Sequence, residues 1–380
     1  MLVLLASGWL ALAGRHAGAQ PAAERPEAVP TLGPKPFVAY FKPMPDAKLS
    51  TTVWGAKEVG PRDPDNGLED TSMKRWNYWD GQILMGPDGR YRMFASRWNQ
   101  AAGHWAWGSS LAVGAVSNSL FGPYRDTGLL WPDSDGGKGH NVTALRMHDG
   151  RYAVVVSETR PGEVFVSDSI DGPWKLLGRF SFDQSRFQLV ETPGDEVARN
   201  NPAASASRAS NFSVMLRPDG HYQIVPRSGQ VLISKNGILG PYMVMGDSVF
   251  RELPGLPQRL RHYEDPVVWF SGGWYHIIVN HWSERRAYHL ISRDGIGDWK
   301  VQGLAYEPGA KFIRHADGTV NTWSKLERPG VVIENGHVVA VSFAVIDTPK
   351  EAQSGNNGHG SKIIVVPFDG EAMDRDLAKL

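Results

Sequence analysis

The chain is 380 residues long, with 40 Lys and Arg balancing 40 Asp and Glu, 14 Trp and no cysteine. That length allows two domains, the apolar and aromatic content is ample for a large core, and the neutral balance gives no global field to attract nucleic acid or a membrane surface. Without cysteine, disulfides, zinc–thiolate sites and thiol nucleophiles are excluded.

Met1 to Gln20 carry the apolar run Leu2–Leu12 and then Ala17-Gly18-Ala19. This pattern predicts a secretory signal peptide, although without a basic n-region, and hence a periplasmic or secreted protein with no membrane contact once the signal is removed. Residues 21–35, rich in Pro, Ala and Glu, read as a linker. Phe37-Val38-Ala39-Tyr40-Phe41 reads as a strand that closes a ring against the C-terminal strand Lys362–Val366. The polar stretch Gly60–Asp70 is either a functional loop or a solvated connector.

Trp79 to Ser96 then form two short apolar runs joined by Gly86-Pro87-Asp88-Gly89, a β-hairpin signal in which Pro presets φ and Gly takes a positive φ. The same phrase returns at His148-Asp149-Gly150, Pro218-Asp219-Gly220, Ser271-Gly272-Gly273 and Glu334-Asn335-Gly336. The turn glycines are 61, 70, 53 and 63 residues apart, a loose period expected of multi-stranded units repeated radially. A second echo, Leu120-Phe121-Gly122-Pro123-Tyr124, Ile170-Asp171-Gly172-Pro173-Trp174, Leu239-Gly240-Pro241-Tyr242 and Ile296-Gly297-Asp298-Trp299, marks a third-to-fourth strand turn. The fold expected is all-β, a five-bladed β-propeller with four antiparallel strands per blade, in one domain over residues 36–380. The repeat overrides the two-domain prior from length.

Between the second and third strands of the first blade lies an insertion, Trp98 to Trp107, whose His104 and Trp105 suggest a platform for stacking sugar C–H faces. Packing of its Trp residues against the neighbouring blade is the alternative. Later blades begin near Gly139-His140-Asn141, Ser210-Asn211-Phe212, His262–Pro266 and Leu326–Pro329, with a long polar segment from Phe182 to Ala209. No helix of any length is expected before the tail Glu371–Leu380.

In a propeller the first residues of each innermost strand project near one mouth of the central channel. Counting back nine from each turn glycine gives Asp80, Asn141, Asn211, Glu264 and Glu327, with Asp265 as the alternative to Glu264 because the blade-four turn is tighter. A polar residue at all five positions predicts a wet funnel. Converging carboxylates suit glycoside hydrolysis: one takes a proton from water, one donates a proton to the leaving oxygen, and a third raises the donor's pKa by like-charge repulsion. Asp80, beside the small Gly81, is the base candidate, with Glu264, Asp265 and Glu327 as acid and modulator. Each alone could instead be held in a salt bridge with Arg328 or Arg62.

These motifs resemble those of the five-bladed glycoside hydrolases of families 43, 32 and 117. The carriers are Trp79-Asp80-Gly81 with its Gly-Pro-Asp-Gly-Arg-Tyr hairpin, Tyr263-Glu264-Asp265-Pro266 and Glu327-Arg328-Pro329, within about Phe37–Asp369. Family 43 places its modulator and acid in blades two and three, where this chain has Asn141 and Asn211. Carboxylates in blades one, four and five are more similar to family 117, in which a His ahead of the last blade's Glu is the acid. His315 matches that His by position.

The expectation is a secreted glycoside hydrolase acting by single displacement on a plant or algal oligo- or polysaccharide. Trp79, His104, Trp105, His140, Asn141, Asn211, Tyr263 and Arg328 are its candidate substrate-binding residues. Two alternatives stay open: a polysaccharide lyase using His140, Tyr263 and Arg328, and a non-catalytic carbohydrate-binding propeller. No nucleotide-binding glycine fingerprint, zinc-protease His pair or serine nucleophile elbow occurs. No cofactor is required, and a divalent cation such as calcium is a candidate for the oxygen-rich channel.

Overall fold

The computed structural model describes residues 29–183 and 210–380. The predicted signal peptide, most of the linker and most of the 182–209 segment lie outside the described residues. From residue 29 the chain packs on the fourth blade, where the Gly33 amide donates to Gln302 Oε1 at 2.9 Å.

Blade one contains β1 (Trp76–Met85), β2 (Tyr91–Asn99), β3 (Leu111–Ser117) and β4 (Arg125–Leu129). Blade two contains β5 (His140–Arg146), β6 (Tyr152–Glu158), β7 (Glu163–Ser167) and β8 (Lys175–Arg179). Blade three, the shortest, contains β9 (Ser213–Leu216), β10 (Tyr222–Val225), β11 (Leu232–Ser234) and β12 (Met243–Val244). Blade four contains β13 (Tyr263–Ser271), β14 (Trp274–His281), β15 (Arg286–Ser292) and β16 (Lys300–Tyr306). Blade five is built on β17 (Lys325–Glu334), β18 (His337–Ile346) and β19 (Ser361–Pro367), followed by the α-helix Gly370–Leu377. Each sheet is an antiparallel meander in chain order, and together they make the predicted five-bladed propeller.

All five turn glycines sit between the first and second strands of their blades with φ between +76° and +89°. Their local bonding repeats: Gly89, Gly150 and Gly220 each donate to the carbonyl three residues earlier, Gly86, Met147 and Arg217. The second echo is also structural, since the Tyr124 hydroxyl donates to Leu120 O and that of Tyr242 to Ile238 O. Apolar clusters fill each of the five gaps between blades. Phe94 and Ala112 of blade one meet Val142, Val154 and Phe165 of blade two, and Tyr78, Met93 and Val113 close the circle against Val332, Ala340 and Ile363 of blade five.

Ring closure departs from expectation. Phe37–Tyr40 is a 3-10 turn rather than a strand, because its aromatic rings all seek the gap between blades four and five: Phe37 stacks on Phe368 with centroids 4.2 Å apart and meets Trp269 edge-on. Only Phe41 bridges the last blade, at Phe368. The blade-five sheet therefore has three regular strands, and its edge is closed by the Gly60–Asp70 segment. Leu68 bridges Ile363, and the Asn66 side chain both donates to Val365 O and accepts from Val365 N, like a short stretch of strand. Gly67 is required there, since a Cβ would lie 1.8 Å from Ile363 O. Arg62 is buried and bonds five backbone carbonyls of residues 53–60, so this stretch is a structural clasp.

Candidate active site

The innermost strands carry a signature the sequence could not show. Asp80, Asn141, Asn211, Asp265 and Arg328, one per blade, all have positive φ, between +47° and +71°. Side chains with a Cβ rarely adopt this conformation, and it bulges β1, β13 and β17 just where the strands enter the channel. These five residues are the true ring. They lie nine residues behind the turn glycine in blades one to three and eight in blades four and five, where the turns are shorter. Asp265 and Arg328 thus hold the equivalent positions, and Glu264 and Glu327 stand one residue earlier. The preceding residues, Trp79, His140, Ser210, Glu264 and Glu327, all line one cavity of about 490 Å³ at the channel mouth.

Arg328 ties the ring together from blade five. Its Nη1 donates to Asn211 Oδ1 at 3.1 Å and Asp265 Oδ1 at 3.3 Å, its Nε lies 3.4 Å from Asp80 Oδ1, and its backbone N–H reaches Asp265 Oδ2. Asp80 also accepts from the Ser96 hydroxyl and, at 3.1 Å, from the Val142 amide. Burial pushes Asp80 and Asp265 above the ordinary carboxylate range, and Arg328 opposes it. Neither Asp80 nor Arg328 lines the cavity; both lie beneath its floor, 2 % and 7 % exposed. Asp80 Oδ1 and Asn141 Oδ1 are buried without a hydrogen bond.

On the cavity wall two glutamates are driven apart. Glu264, bonded by Asn280 Nδ2 at 3.0 Å, is pushed up to about 8 by burial and then by the charges of Glu327 and Asp265. Glu327 feels the same burial, but Lys350 and Lys325, with Nζ 2.5 and 3.0 Å from its oxygens, override it and hold it at about 2. Burial and like charge thus favour the protonated form of Glu264, and the two lysines favour the ionised form of Glu327.

Glu264, Asp265 and Glu327 bring carboxylate oxygens within 4.8 Å of one another, the spacing of a cation site. The donor set does not fit a hard cation: Glu327 already carries two ammonium groups and Asp265 carries Arg328, so these carboxylates are already neutralised by protein cations.

β1, the end of β2 and the insertion that follows it supply the aromatic wall. Trp79, Trp98, Trp105, Trp107 and His104 line the cavity on this side and Trp282, from the β14–β15 turn, on another. Both Trp105 and Trp282 are exposed, at 60 % and 41 %. A loop after β18 clasps the insertion, with His104 N donating to Gln353 O and Gln353 Nε2 to Gln100 O. It also delivers Lys350, whose Nζ sits 5.0 Å from the Trp79 ring centroid.

Of the residues read from sequence, Trp79, His104, Trp105, His140, Asn141, Asn211, Glu264, Asp265 and Glu327 come together around this cavity. Tyr263 does not: it is fully buried between blades three and four, its hydroxyl on Pro257 O. Nor does His315, whose Nε2 bonds Asn321 Oδ1 at 2.9 Å in the clasp region. Sequence reading missed Glu158, Arg227, Trp282, Lys325 and Lys350. Lys325 was within reach, two residues from Glu327 and so on the same strand face; Glu158, which pairs with His140 across β5–β6, and Lys350 carry no local signal.

No protein-family model and no curated protein matches the chain. Solved structures do. A protein described as a glycoside hydrolase matches at TM-score 0.53 and 16% identity over 80% of this chain, which spans 61% of that protein's length. The catalytic domain of a family 62 α-L-arabinofuranosidase from Coprinopsis cinerea matches at TM-score 0.51 and 13% identity, covering 84% of this chain and 96% of its own. A family 117 glycoside hydrolase of the marine bacterium Zobellia galactanivorans matches at TM-score 0.50 and 12% identity, covering 85% and 90%. At such identities the likeness establishes a shared fold, the one that the blade motifs resemble.

Proposed function

We propose that the protein is a glycoside hydrolase that cleaves a plant or algal oligo- or polysaccharide by single displacement, acting in the periplasm or outside the cell. The observation that carries this reading is the geometry of Glu264 beside Glu327 on the wall of an aromatic-lined cavity, where burial and the neighbouring carboxylates push Glu264 up while Lys325 and Lys350 hold Glu327 down. That is the state a general acid needs in order to protonate a leaving glycosidic oxygen at neutral pH. Glu327, fixed by Lys325 and Lys350, serves as the modulator whose charge holds the proton on Glu264.

Glu264 and Glu327 do not make the acid–base pair. Their oxygens lie within 4.8 Å, whereas an inverting pair needs about 6.5–9.5 Å to admit a water. Asp80, on a different blade and directly beneath the cavity floor, with Oδ1 free of hydrogen bonds and 3.4 Å from Arg328 Nε, is the carboxylate we assign as base, oriented by Arg328 and Ser96. Trp105 and Trp282 give the sugar rings apolar faces to stack on. The fold neighbours described as glycoside hydrolases support the same class of reaction, and one of them is named an α-L-arabinofuranosidase.

A screen over plant and algal oligosaccharides tests this, reading both reducing-sugar release and the absorbance of unsaturated uronides. Reducing sugar without that absorbance is expected. Unsaturated products would assign a lyase, and binding without turnover of any glycan would assign a carbohydrate-binding propeller.

A further inference from the structure

His140 opens β5 and faces the cavity, yet no acid–base step needs it. Its ring is fixed on three sides. Trp107 stacks on it at 5.0 Å and 27°, Trp98 meets it edge-on at 5.7 Å, and Nδ1 lies 2.8 Å from Ser110 Oγ. Ser110 determines which ring nitrogen carries the proton. Its hydroxyl also lies 2.6 Å from Trp107 O, and a carbonyl can only accept. A hydroxyl has one proton. If that proton pointed at Nδ1, two lone-pair-bearing oxygens would face each other at 2.6 Å; if it goes to Trp107 O, both short contacts are hydrogen bonds, with Nδ1–H donating to Oγ. The neutral imidazole must then carry its lone pair on Nε2; the ring's hydrogen bond among the described residues is the one at Nδ1. Burial, with Arg328, His104 and Lys350 nearby, keeps the ring from taking a second proton.

We propose that His140 is a specificity-determining residue of this cavity: its Nε2, presented in a tautomer locked by Ser110, accepts a hydrogen bond from a hydroxyl of the bound sugar. The site thereby selects a sugar with a free hydroxyl at that position over its deoxy or O-methyl counterpart. This rests on the reading of the cavity as a sugar site, but not on hydrolysis. The acceptor is rigid and half enclosed by indole, so a sugar that brings no donor leaves a desolvated lone pair unmet, which costs about 10- to 100-fold in affinity. A hydroxyl-bearing sugar meets it with no reorganisation.

Two measurements on the full chain test the assignment. Long-range ¹H–¹⁵N correlation of the imidazoles reads the tautomer without any ligand. Protonated Nδ1 and bare Nε2 are expected for His140, with the preference relaxing in Ser110→Ala. Binding is then titrated with methyl α-L-arabinofuranoside, methyl β-D-galactopyranoside and the singly deoxygenated form of each. His140→Asn keeps a donor for Ser110 but withdraws the acceptor, and should lose about 10- to 100-fold on the parent sugar and nothing on one particular deoxy form. His140→Gln, whose carbonyl oxygen reaches toward the Nε2 position, should recover part of the loss. Discrimination that persists in a protein with no hydrolytic activity would sink the hydrolase reading and leave this one standing. An Nε2-protonated tautomer, or no His140-dependent discrimination anywhere in the panel, would overturn it.

Discussion

Replacing Glu327 with Gln tests the electrostatics on which the proposed acid depends. The Glu264 and Glu327 oxygens lie within 4.8 Å, so at an effective dielectric of about 20 two full charges there repel by roughly 3.5 kcal/mol, equivalent to ~2.5 pH units. Lys325 and Lys350 already screen part of that repulsion, so the contribution lost with Glu327 is smaller, about one to two units. The two lysines remain and continue to favour the ionised form of Glu264. Glu264 should therefore titrate at least about one unit below its present value near 8. The sign follows from its role: an acid must be protonated, so the alkaline limb of the kcat/KM profile moves to lower pH by the same amount. The profile on a hydrolysed glycoside and a ¹³C titration of the labelled Glu carboxyls should shift together. A limb that stays near 8, or moves up, refutes the coupling of these two carboxyls.

Three further outcomes follow. Arg328→Met leaves Asp80 and Asp265 buried without their cation and should cost about 3–5 kcal/mol in urea denaturation; because both carboxyls can escape by protonation, the loss should grow as pH rises, and a pH-independent change below about 1 kcal/mol would remove Arg328 from the centre of the account. Gly67→Ala drives a Cβ into Ile363 O at positive φ and should cost at least about 2 kcal/mol, while Gly89→Ala, with the same φ sign and nothing within 4 Å, should cost about 1; equal costs would mean that the clasp does not close the ring. Trp282→Ala, at an exposed rim, should leave thermal stability unchanged and raise KM about 3- to 10-fold, and an unchanged KM would take that side of the cavity out of the binding surface.

The propeller was legible because its signals are local and repeated. A Pro-Asp-Gly or Gly-Gly turn between two apolar runs dictates a hairpin wherever it occurs, and five of them at a loose period leave few other architectures. The ring was legible only in part. Counting from the turn glycine assumes equal turns, and the two-residue turns at Gly272-Gly273 and Asn335-Gly336 shift blades four and five by one residue. Glu264 and Glu327 thus reach the cavity wall, while Asp265 takes the floor and Arg328 lies beneath it. Phe37–Phe41 misled because apolar density without alternation reads as a strand, whereas its rings wedge into an inter-blade gap. Lys350 and Glu158 were out of reach: what brings them to the site is the ring closing on itself, which no stretch of neighbouring residues encodes. Tyr263 was drawn in by its place in the acidic motif and His315 by matching the position of the family 117 acid His, and the backbone turns both away.

The central claim is tested most directly by the rate of glycoside hydrolysis in Asp80→Asn, on whichever oligosaccharide the wild type cleaves, with the anomer first released followed by ¹H NMR. The account predicts that wild type releases the inverted anomer, and that the variant folds and binds the sugar but turns over at least about 100-fold more slowly. Turnover by Asp80→Asn near the wild-type rate, or release of the retained anomer, would contradict it.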